Sequence, residues 1–385
     1  MFIVYSISII LLLILGINVL YFFIFSIAAL FPRRSYRAEL KKYNRFAVMI
    51  PAYREGDVVV ASVQHAFLQD YPRDKYEIIV ICDQLISYSV GELKLHPVHV
   101  IEVAFENSTK AQSLNAALDA IQRDAFDYVV VLDIDNHMEP SFLSLMNSRL
   151  QQNEAALQGH RTAKNLDSPF AVLDAISEEV NNTIFREGHD RLNLSAALIG
   201  SAMAIRIDIF TSIMRKIKAI GGFDKELELR LIAKGYRIGY ASDAIVYDEK
   251  VGAHGFKNQR TRWLQAQLKY FSLYFVSGVV KAVTQLRFDY FDKVFQLALL
   301  SRVIVICALF VLACTYFLGF EFHIYFIWLF LINAVTMLLA MPKQFYNLNT
   351  LRAIAHLPKA VGLMMLALFN VKKAKKKFIH TRHHV

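Results

Sequence analysis

Two aspartates one residue apart, Asp133 and Asp135, follow an apolar run, and Asp224 opens a helical pattern farther along the chain. At i and i+2 of an extended strand end both carboxylates point the same way, and oxygen donors gathered like this suit a hard divalent cation. The same pair fits a solvated acidic turn. Asp83 follows a second apolar run, at a position where an aspartate is often a helix cap. Asp224 also has two readings, an N-terminal cap held by free backbone N–H groups and a general base. Gln259, Arg262 and Trp263 stand at i, i+3 and i+4 on one helix face. An interfacial helix presents that pattern too, with arginine at lipid phosphates and tryptophan in the aromatic belt.

These residues need elements to hold them. Between residues 45 and 250 short apolar runs alternate with helical patterns: Phe46 to Ile50, Tyr76 to Ile81, His99 to Val103 and Tyr128 to Leu132 are strand-like, with a helix-like stretch at Gln112 to Arg123. Such alternation implies a mainly parallel sheet covered by helices, whose ligands bind beyond the carboxyl ends of the strands. Pro51-Ala52-Tyr53-Arg54-Glu55, Asp83 and Asp133-Ile134-Asp135 stand at three such ends. The Asp224 helix runs to a stop at Lys234-Gly235-Tyr236.

The rest of the chain reads as membrane. Hydrophobic residues make up 55% of the 385, against roughly 45–50% in soluble chains. Residues 2 to 31 carry no charge and would reach ~45 Å as a helix, enough for one tilted span that is not cleaved. Val303 to Phe320 and Tyr325 to Met341 predict a helical hairpin, and Leu357 to Val371 a shorter interfacial or re-entrant helix. With 43 Lys and Arg against 33 Asp and Glu the net charge is +10. Much of it falls beside these segments, at Arg33, Arg34, Arg37, Lys41 and Lys42 and in the tail at Lys372, Lys373, Lys375, Lys376, Lys377 and Arg382. That distribution predicts an N-terminus outside, with the soluble domain and the C-terminus inside. It also argues against nucleic acid as the partner, because no stacking-aromatic or helix-turn-helix pattern accompanies the charge. The three cysteines, Cys82, Cys307 and Cys314, form no disulfide framework or metal-ligand spacing, as expected in a reducing compartment.

Taken in order, PAYRE, the strand-end Asp83, the Asp133/Asp135 pair, Asp224 and the Gln259, Arg262, Trp263 motif before a membrane hairpin resemble the membrane-embedded family 2 glycosyltransferases, relatives of cellulose and hyaluronan synthases. The resemblance covers roughly residues 45 to 270. It implies an α/β fold of GT-A type, a nucleotide-sugar donor (a UDP-sugar by expectation), Mg²⁺ or Mn²⁺, and inversion at the anomeric carbon. Carried over residue by residue, Tyr53, Glu55 and Asp83 match positions near the nucleoside. Lys110 resembles a lysine on the donor diphosphate, Asp133 the donor-contacting aspartate and Asp135 the metal ligand. Gly200 and Ser201 lie in what looks like the acceptor-side loop, and Asp224 matches the catalytic aspartate. Gln259, Arg262 and Trp263 match the QxxRW motif at acceptor and diphosphate. Arg54 stands where an Asn is common, Gln112 where a Gly is common, and Phe223 where an acid usually precedes the base, which leaves Glu226 and Glu228 in competition with Asp224.

The expected organisation is a membrane helix at 1–32, a cytoplasmic GT-A domain at 43–255, interfacial helices at 256–300, a membrane hairpin at 301–342, an interfacial or re-entrant helix at 343–371 and a basic tail at 372–385. The expected place is the inner (plasma) membrane, spanned several times. The leading expectation for function is assembly of an extracellular or capsular polysaccharide, with an export partner or a second copy of the chain. A single transfer to a lipid acceptor is the alternative, which about three spans favour, since a polymer channel in one chain needs more walls. A third reading is an inactive scaffold or export subunit.

Overall fold

The computed structural model describes residues 2–32, 42–152, 154–250, 253–315, 322–359 and 361–363, with side chains from 259 onward in the helix that begins at Ala253. The basic flank at Arg33, Arg34, Arg37 and Lys41, the basic tail, and parts of the two expected helices at 303–320 and 357–371 lie outside the described residues.

The chain begins with α1 (Phe2–Ala28) and then alternates. β1 (Phe46–Tyr53), α2 (Gly56–Ala66), β2 (Tyr76–Asp83), α3 (Ser87–Leu93), β3 (His99–Val103), α4 (Lys110–Ala120) and β4 (Tyr128–Val131) lay down four parallel strands in the order β3-β2-β1-β4. In β1, β4 and the centre of β2 the apolar runs carry no polar side because both faces are covered, whereas the edge strand β3 exposes Glu102. Ala47, Met49, Ile79, Ile81, Val129 and Val131 enter one core, while Phe46, Val48, Ile50, Ile78, Val80 and Val130 enter the other. Pro51 is tolerated in β1 because the pairing with β4 ends at Met49, so no ladder N–H is needed there.

The second half of the sheet adds antiparallel pairings to the mainly parallel set that the sequence predicts. After β5 (His137–Met138), α5 (Phe142–Leu150), β6 (Ala156–Ala163), α6 (Pro169–Asn181), a π-turn at Asn182–Glu187 and α7 (Gly188–Arg191), strand β7 (Met203–Arg206) returns antiparallel to both β4 and β6. α8 (Ile207–Met214) and α9 (Phe223–Ala233) follow, then β8 (Ile238–Asp248), parallel to β6 and antiparallel to β5. The sheet is therefore mixed. Its parallel half is built by helix crossovers; the return through α6 and α7 reverses direction before β7 joins.

α10 (Ala253–Gln285) and α11 (Phe288–Gln296) pack against α9 and lead to α12 (Arg302–Ala313), α13 (His323–Ala340) and α14 (Leu348–Ile354). A third apolar cluster, with Leu15, Val19 and Phe22 of α1, Val305 and Leu309 of α12 and Phe326 of α13, closes against Val180 and Ile184 beside the π-turn. Among the described residues two helices, Tyr5–Ala28 and His323–Ala340, are long and apolar enough to cross a membrane, and the described part of α12 is shorter.

Candidate active site

The candidate residues gather at the carboxyl ends of the parallel strands. Tyr53 and Asp83 are paired across β1 and β2. Asp83 is only 1% exposed, and neither carboxylate oxygen has a hydrogen-bond partner among the described residues. A buried acceptor left unmade costs about 1–3 kcal/mol, more when charged, so these oxygens suit a ligand N–H. The next residues, Arg54 (φ 63°) and Gln84 (φ 55°), both take the left-handed conformation uncommon outside glycine. The Arg54 Nε donates to Gln84 Oε1 (3.0 Å), its guanidinium lies 4.8 Å from the centre of the Tyr53 ring, and Gln84 Nε2 donates to the Phe105 carbonyl (2.9 Å). Glu55 begins α2 beside this rim.

Lys110 is the first residue of α4, whose cap Thr109 accepts the Gln112 N–H. A lysine beside a positive helix end is placed for an anion rather than for helix stability. Its ammonium donates to the Asp133 carboxylate and to the Gly200 carbonyl (2.8 Å). The Asp133 backbone N–H donates to Ser201 Oγ and Asn136 Oδ1, both at 3.1 Å. Lys110, Asp133, Gly200 and Ser201 thus meet at one point.

The shared direction expected for Asp133 and Asp135 is corrected. The segment is a turn closed by the Asn136 N–H on the Asp133 carbonyl (3.2 Å), so the two-residue repeat of a strand no longer applies. Asp133 faces Lys110 and Arg161, whereas Asp135, 3% exposed, turns inward and accepts the Glu249 N–H (3.2 Å). Among the described residues no group of three or more His, Cys, Asp or Glu side chains is arranged to hold a metal ion. Asp135 is thus a single inward-turned carboxylate, and a Mg²⁺ or Mn²⁺ ion held there would need its other oxygen donors from outside the described side chains.

α9 brings Asp224 to the same point. Gly200 has φ 78°, and a Cβ there would meet the Asp224 Cβ at 3.4 Å. Gly222, at φ 69° before the helix, lets α10 approach: a Cβ would stand 2.7 Å from that of Ala266. Asp224 is enclosed by surrounding atoms yet keeps a partial opening to solvent, and burial pushes its carboxyl up from the usual range, opposed by the Lys225 and Lys110 charges. Its two competitors are committed elsewhere. Glu226 accepts from Arg230 (2.7 Å) and the Tyr270 hydroxyl (3.2 Å). Glu228 accepts the Leu198 N–H (3.0 Å) and the Lys225 ammonium (3.1 Å), with Lys293 3.6 Å away. Although burial acts against it, Lys225 and Lys293 hold the Glu228 carboxyl below its usual range.

The first turns of α10 carry the remaining residues. Arg262 is partly buried, with burial lowering its pKa against the Asp133 charge, so its guanidinium senses the site. Gln259 Oε1 is buried without a hydrogen-bond partner among the described residues, and Trp263 is 43% exposed under the Arg260 guanidinium, 4.5 Å from its ring.

Sequence reasoning missed Arg161 and Asn136. Arg161 bridges Asp133 (3.4 Å), Glu178 (2.8 Å) and Asp248 (3.6 Å), and Lys250 binds Glu178 and Asp248 (2.9 Å) behind it. A charge at the end of the largely buried run 156–163 was the available signal.

A profile of the family described as Glycosyltransferase like family 2 matches residues 44–266. The probable glycosyltransferase YdaM of Bacillus subtilis (strain 168) is 25% identical over 267 residues, 62% of this chain. The chain spans about 60% of that relative's length. Among solved structures, the mannosyltransferase PcManGT from Pyrobaculum calidifontis matches with a TM-score of 0.62 at 17% identity, over 96% of this chain and 99% of that one. TarS 1-349 from S. aureus matches with a TM-score of 0.41 at 12% identity, over 86% and 90%. The PcManGT likeness is one of fold, and the α/β fold with its mixed sheet is GT-A-like. Because the profile takes in more than half of its length, the chain belongs to glycosyltransferase family 2.

Proposed function

We propose that the protein transfers a sugar, with inversion, from a nucleotide-sugar donor to a hydroxyl acceptor at the cytoplasmic face of a membrane, with Asp224 as general base. The observation that carries this is the contrast on α9. Glu226 and Glu228 are spent on arginine, lysine, tyrosine and backbone partners, whereas among the described residues no other side chain donates a hydrogen bond to Asp224. A carboxylate whose pKa is raised by burial and that keeps a partial opening to solvent is a better proton acceptor than one in water.

The other residues divide by chemistry. Asp83, with Tyr53 and Glu55 beside it, offers its unmet oxygens to a nucleobase N–H. Lys110 and Arg262 face the leaving diphosphate, Asp133 the donor sugar, and Gly200, Ser201, Gln259 and Trp263 the acceptor side. Mg²⁺ or Mn²⁺ at Asp135 would neutralise charge on the diphosphate. The PcManGT structure holds GDP-Man and Mn²⁺, which supports this class of donor and ion.

An acceptor presented by a lipid is favoured over a polymer threaded through one copy. The described parts of α1, α12 and α13 close on a seam filled by Leu15, Val19, Phe22, Val305, Leu309 and Phe326. A polysaccharide product would need a second chain to complete its passage. A screen of nucleotide sugars for nucleotide release, with product mass, tests the proposal: single additions to the lipid fraction are expected. Release with no donor refutes the transferase reading, and long polymer from one purified chain refutes the lipid acceptor.

A further inference from the structure

Gln158 stands where the sheet releases the stretch of chain that carries Gly200. It lies opposite Met203, the last rung of the β6–β7 ladder, and residues 199–202, which lead into that rung, belong to no strand. Two of the four take the left-handed conformation, Gly200 at φ 78° and Ala202 at φ 51°. For alanine this is strained, so it persists only where the surroundings hold it.

The hold comes from one side chain with no exposed surface. Gln158 Oε1 accepts the Ile199 N–H (3.1 Å), and Nε2 donates to the carbonyls of Ser201 (2.9 Å), Ala202 (3.1 Å) and Gly159 (3.0 Å). The amide therefore grips the backbone on both sides of Gly200. Gly159 adds its own N–H to the Ala202 carbonyl (2.6 Å), an approach that a Cβ at 2.9 Å from that oxygen would prevent. Among the described residues, the other side chains bonded to residues 199–202 belong to the candidate site and its turn: Lys110 reaches the Gly200 carbonyl, and Ser201 Oγ donates to Asn136 and accepts the Asp133 N–H. Upstream, Leu198 is tied to Glu228 and Lys225 of α9. Gln158 thus joins β6, which lies between β7 and β8, to the segment where Lys110, Asp133 and Asp224 meet.

We propose that Gln158 is a positioning residue for the transfer: it fixes the left-handed turn at Gly200 to Ala202 and, through that turn, the spacing between Lys110 at the donor diphosphate and Asp224 at the acceptor hydroxyl. This rests on the reading of Asp224 as the base and Lys110 as a diphosphate contact. The chemistry calls for an amide. An aliphatic side chain of the same length would fill the space but leave the Ile199 N–H and the Ser201 carbonyl without partners in a buried place. A carboxylate would set an oxygen against three carbonyls. Only an amide offers an acceptor to Ile199 and donors to the carbonyls at once.

Gln158→Met and Gln158→Glu test this in the full chain in detergent micelles, at a temperature where melts show the variants folded. Misplacing a reacting group by about 1 Å costs on the order of 10²-fold, so Gln158→Met should lower kcat roughly 10- to 100-fold while UDP or GDP, whichever the wild type binds, keeps its affinity within about threefold. The carboxyl introduced by Gln158→Glu donates only when protonated, and burial favours that form. Its kcat relative to that of Gln158→Met should therefore climb as pH falls from about 9 to about 6. Lys110, Asp133, Asp224, Lys225 and Glu228, the charged groups facing the segment, are common to both variants and cancel in the ratio. Should Gln158→Met fail to fold, the ratio is taken to the wild type and read the same way. Hydrogen exchange gives a readout apart from activity: amides at 199–202 should exchange faster in the variants at neutral pH, with α9 and β7 still protected. Unchanged kcat in Gln158→Met, a ratio independent of pH, unchanged exchange, or nucleotide affinity lost in step with kcat overturns the positioning role. If the wild type turns over no nucleotide sugar, the transferase reading falls instead, and exchange alone still decides whether Gln158 holds the turn.

Discussion

Exchanging Asp224 for Asn and Glu228 for Gln separates a base from a buried strut on the same helix. Asp224→Asn keeps the shape and removes only the proton acceptor, so turnover should fall by about 10²–10⁴, equivalent to roughly 2.7–5.5 kcal/mol of barrier. Its melting temperature should hold or rise. The Asp224 pKa is raised in the fold, so the group favours folding when protonated, and that contribution is lost as pH rises through the raised value. At neutral pH its ionised form is therefore a cost that Asn removes. Glu228→Gln behaves in the opposite way. It leaves Lys293, which is 2% exposed, without its carboxylate, and breaking a buried pair costs about 3–5 kcal/mol, on the order of ten degrees of melting temperature. The assay is nucleotide release with the donor found by screening, run from pH 4 to 9 beside thermal melts. Wild-type activity should show an acid limb displaced above the ordinary aspartate range, absent from the residual activity of Asp224→Asn. Wild-type turnover in Asp224→Asn, or a folded but inactive Glu228→Gln, refutes the assignment and moves the base along α9.

Gly200→Ala forces a side chain onto φ 78° against Asp224, at about 1–2 kcal/mol of strain; it should lower kcat more than donor affinity, which steady-state kinetics will read. Arg161→Met strands Glu178 and Asp248 and should cost about 3–5 kcal/mol in chemical denaturation, whereas an unchanged midpoint would show that Lys250 alone balances them. Chelation should abolish transfer and Mg²⁺ or Mn²⁺ restore it, with Asp135→Asn weakening metal dependence and donor binding together; full activity in chelator would exclude the ion. With Cys82, Cys307 and Cys314 replaced, single cysteines in the C-terminal tail should resist an impermeant reagent in intact cells, and their labelling would invert the topology.

How legible the molecule was depended on how local each signal is. β1, β2 and β4 could be read because strands covered on both faces become continuous apolar runs, and the edge strand β3 from its alternation with the helices. β6 and β8 could not. The first carries Gln158, His160 and Arg161, the second carries Asp243 and Asp248, and their pairing shifts register at Gly159/His160. The fold supplies partners for those polar groups only after α6 and the π-turn are in place. The Asp133/Asp135 pair was visible, but its geometry was misjudged, because a turn closed by Asn136 replaces the strand end. The competition among Asp224, Glu226 and Glu228 was likewise undecidable in one dimension. Leu198, Tyr270 and Lys293, the groups that commit the two glutamates, lie between 30 and 65 residues away in the chain.

Those partners also explain how α9, which bears the proposed base, is fixed relative to α1. The Tyr21 hydroxyl of α1 donates to Asp292 (2.7 Å) and contacts His189 (2.9 Å), which stacks on Phe25 and donates from Nδ1 to the Ile184 carbonyl (2.7 Å). Asp292 adjoins Lys293 in α11, and Lys293 faces Glu228 in α9, one helical turn beyond Asp224. Apolar packing alone would allow α11 to slide or rotate between α1 and α9 at small cost. A slide would break a buried hydroxyl–carboxylate bond on one side and strand a buried ammonium on the other, each far more expensive than a shifted methyl contact. The buried charges therefore contribute little net stability but fix one register. Through that register, the position of Asp224 beside Gly200 is tied to the position of α1.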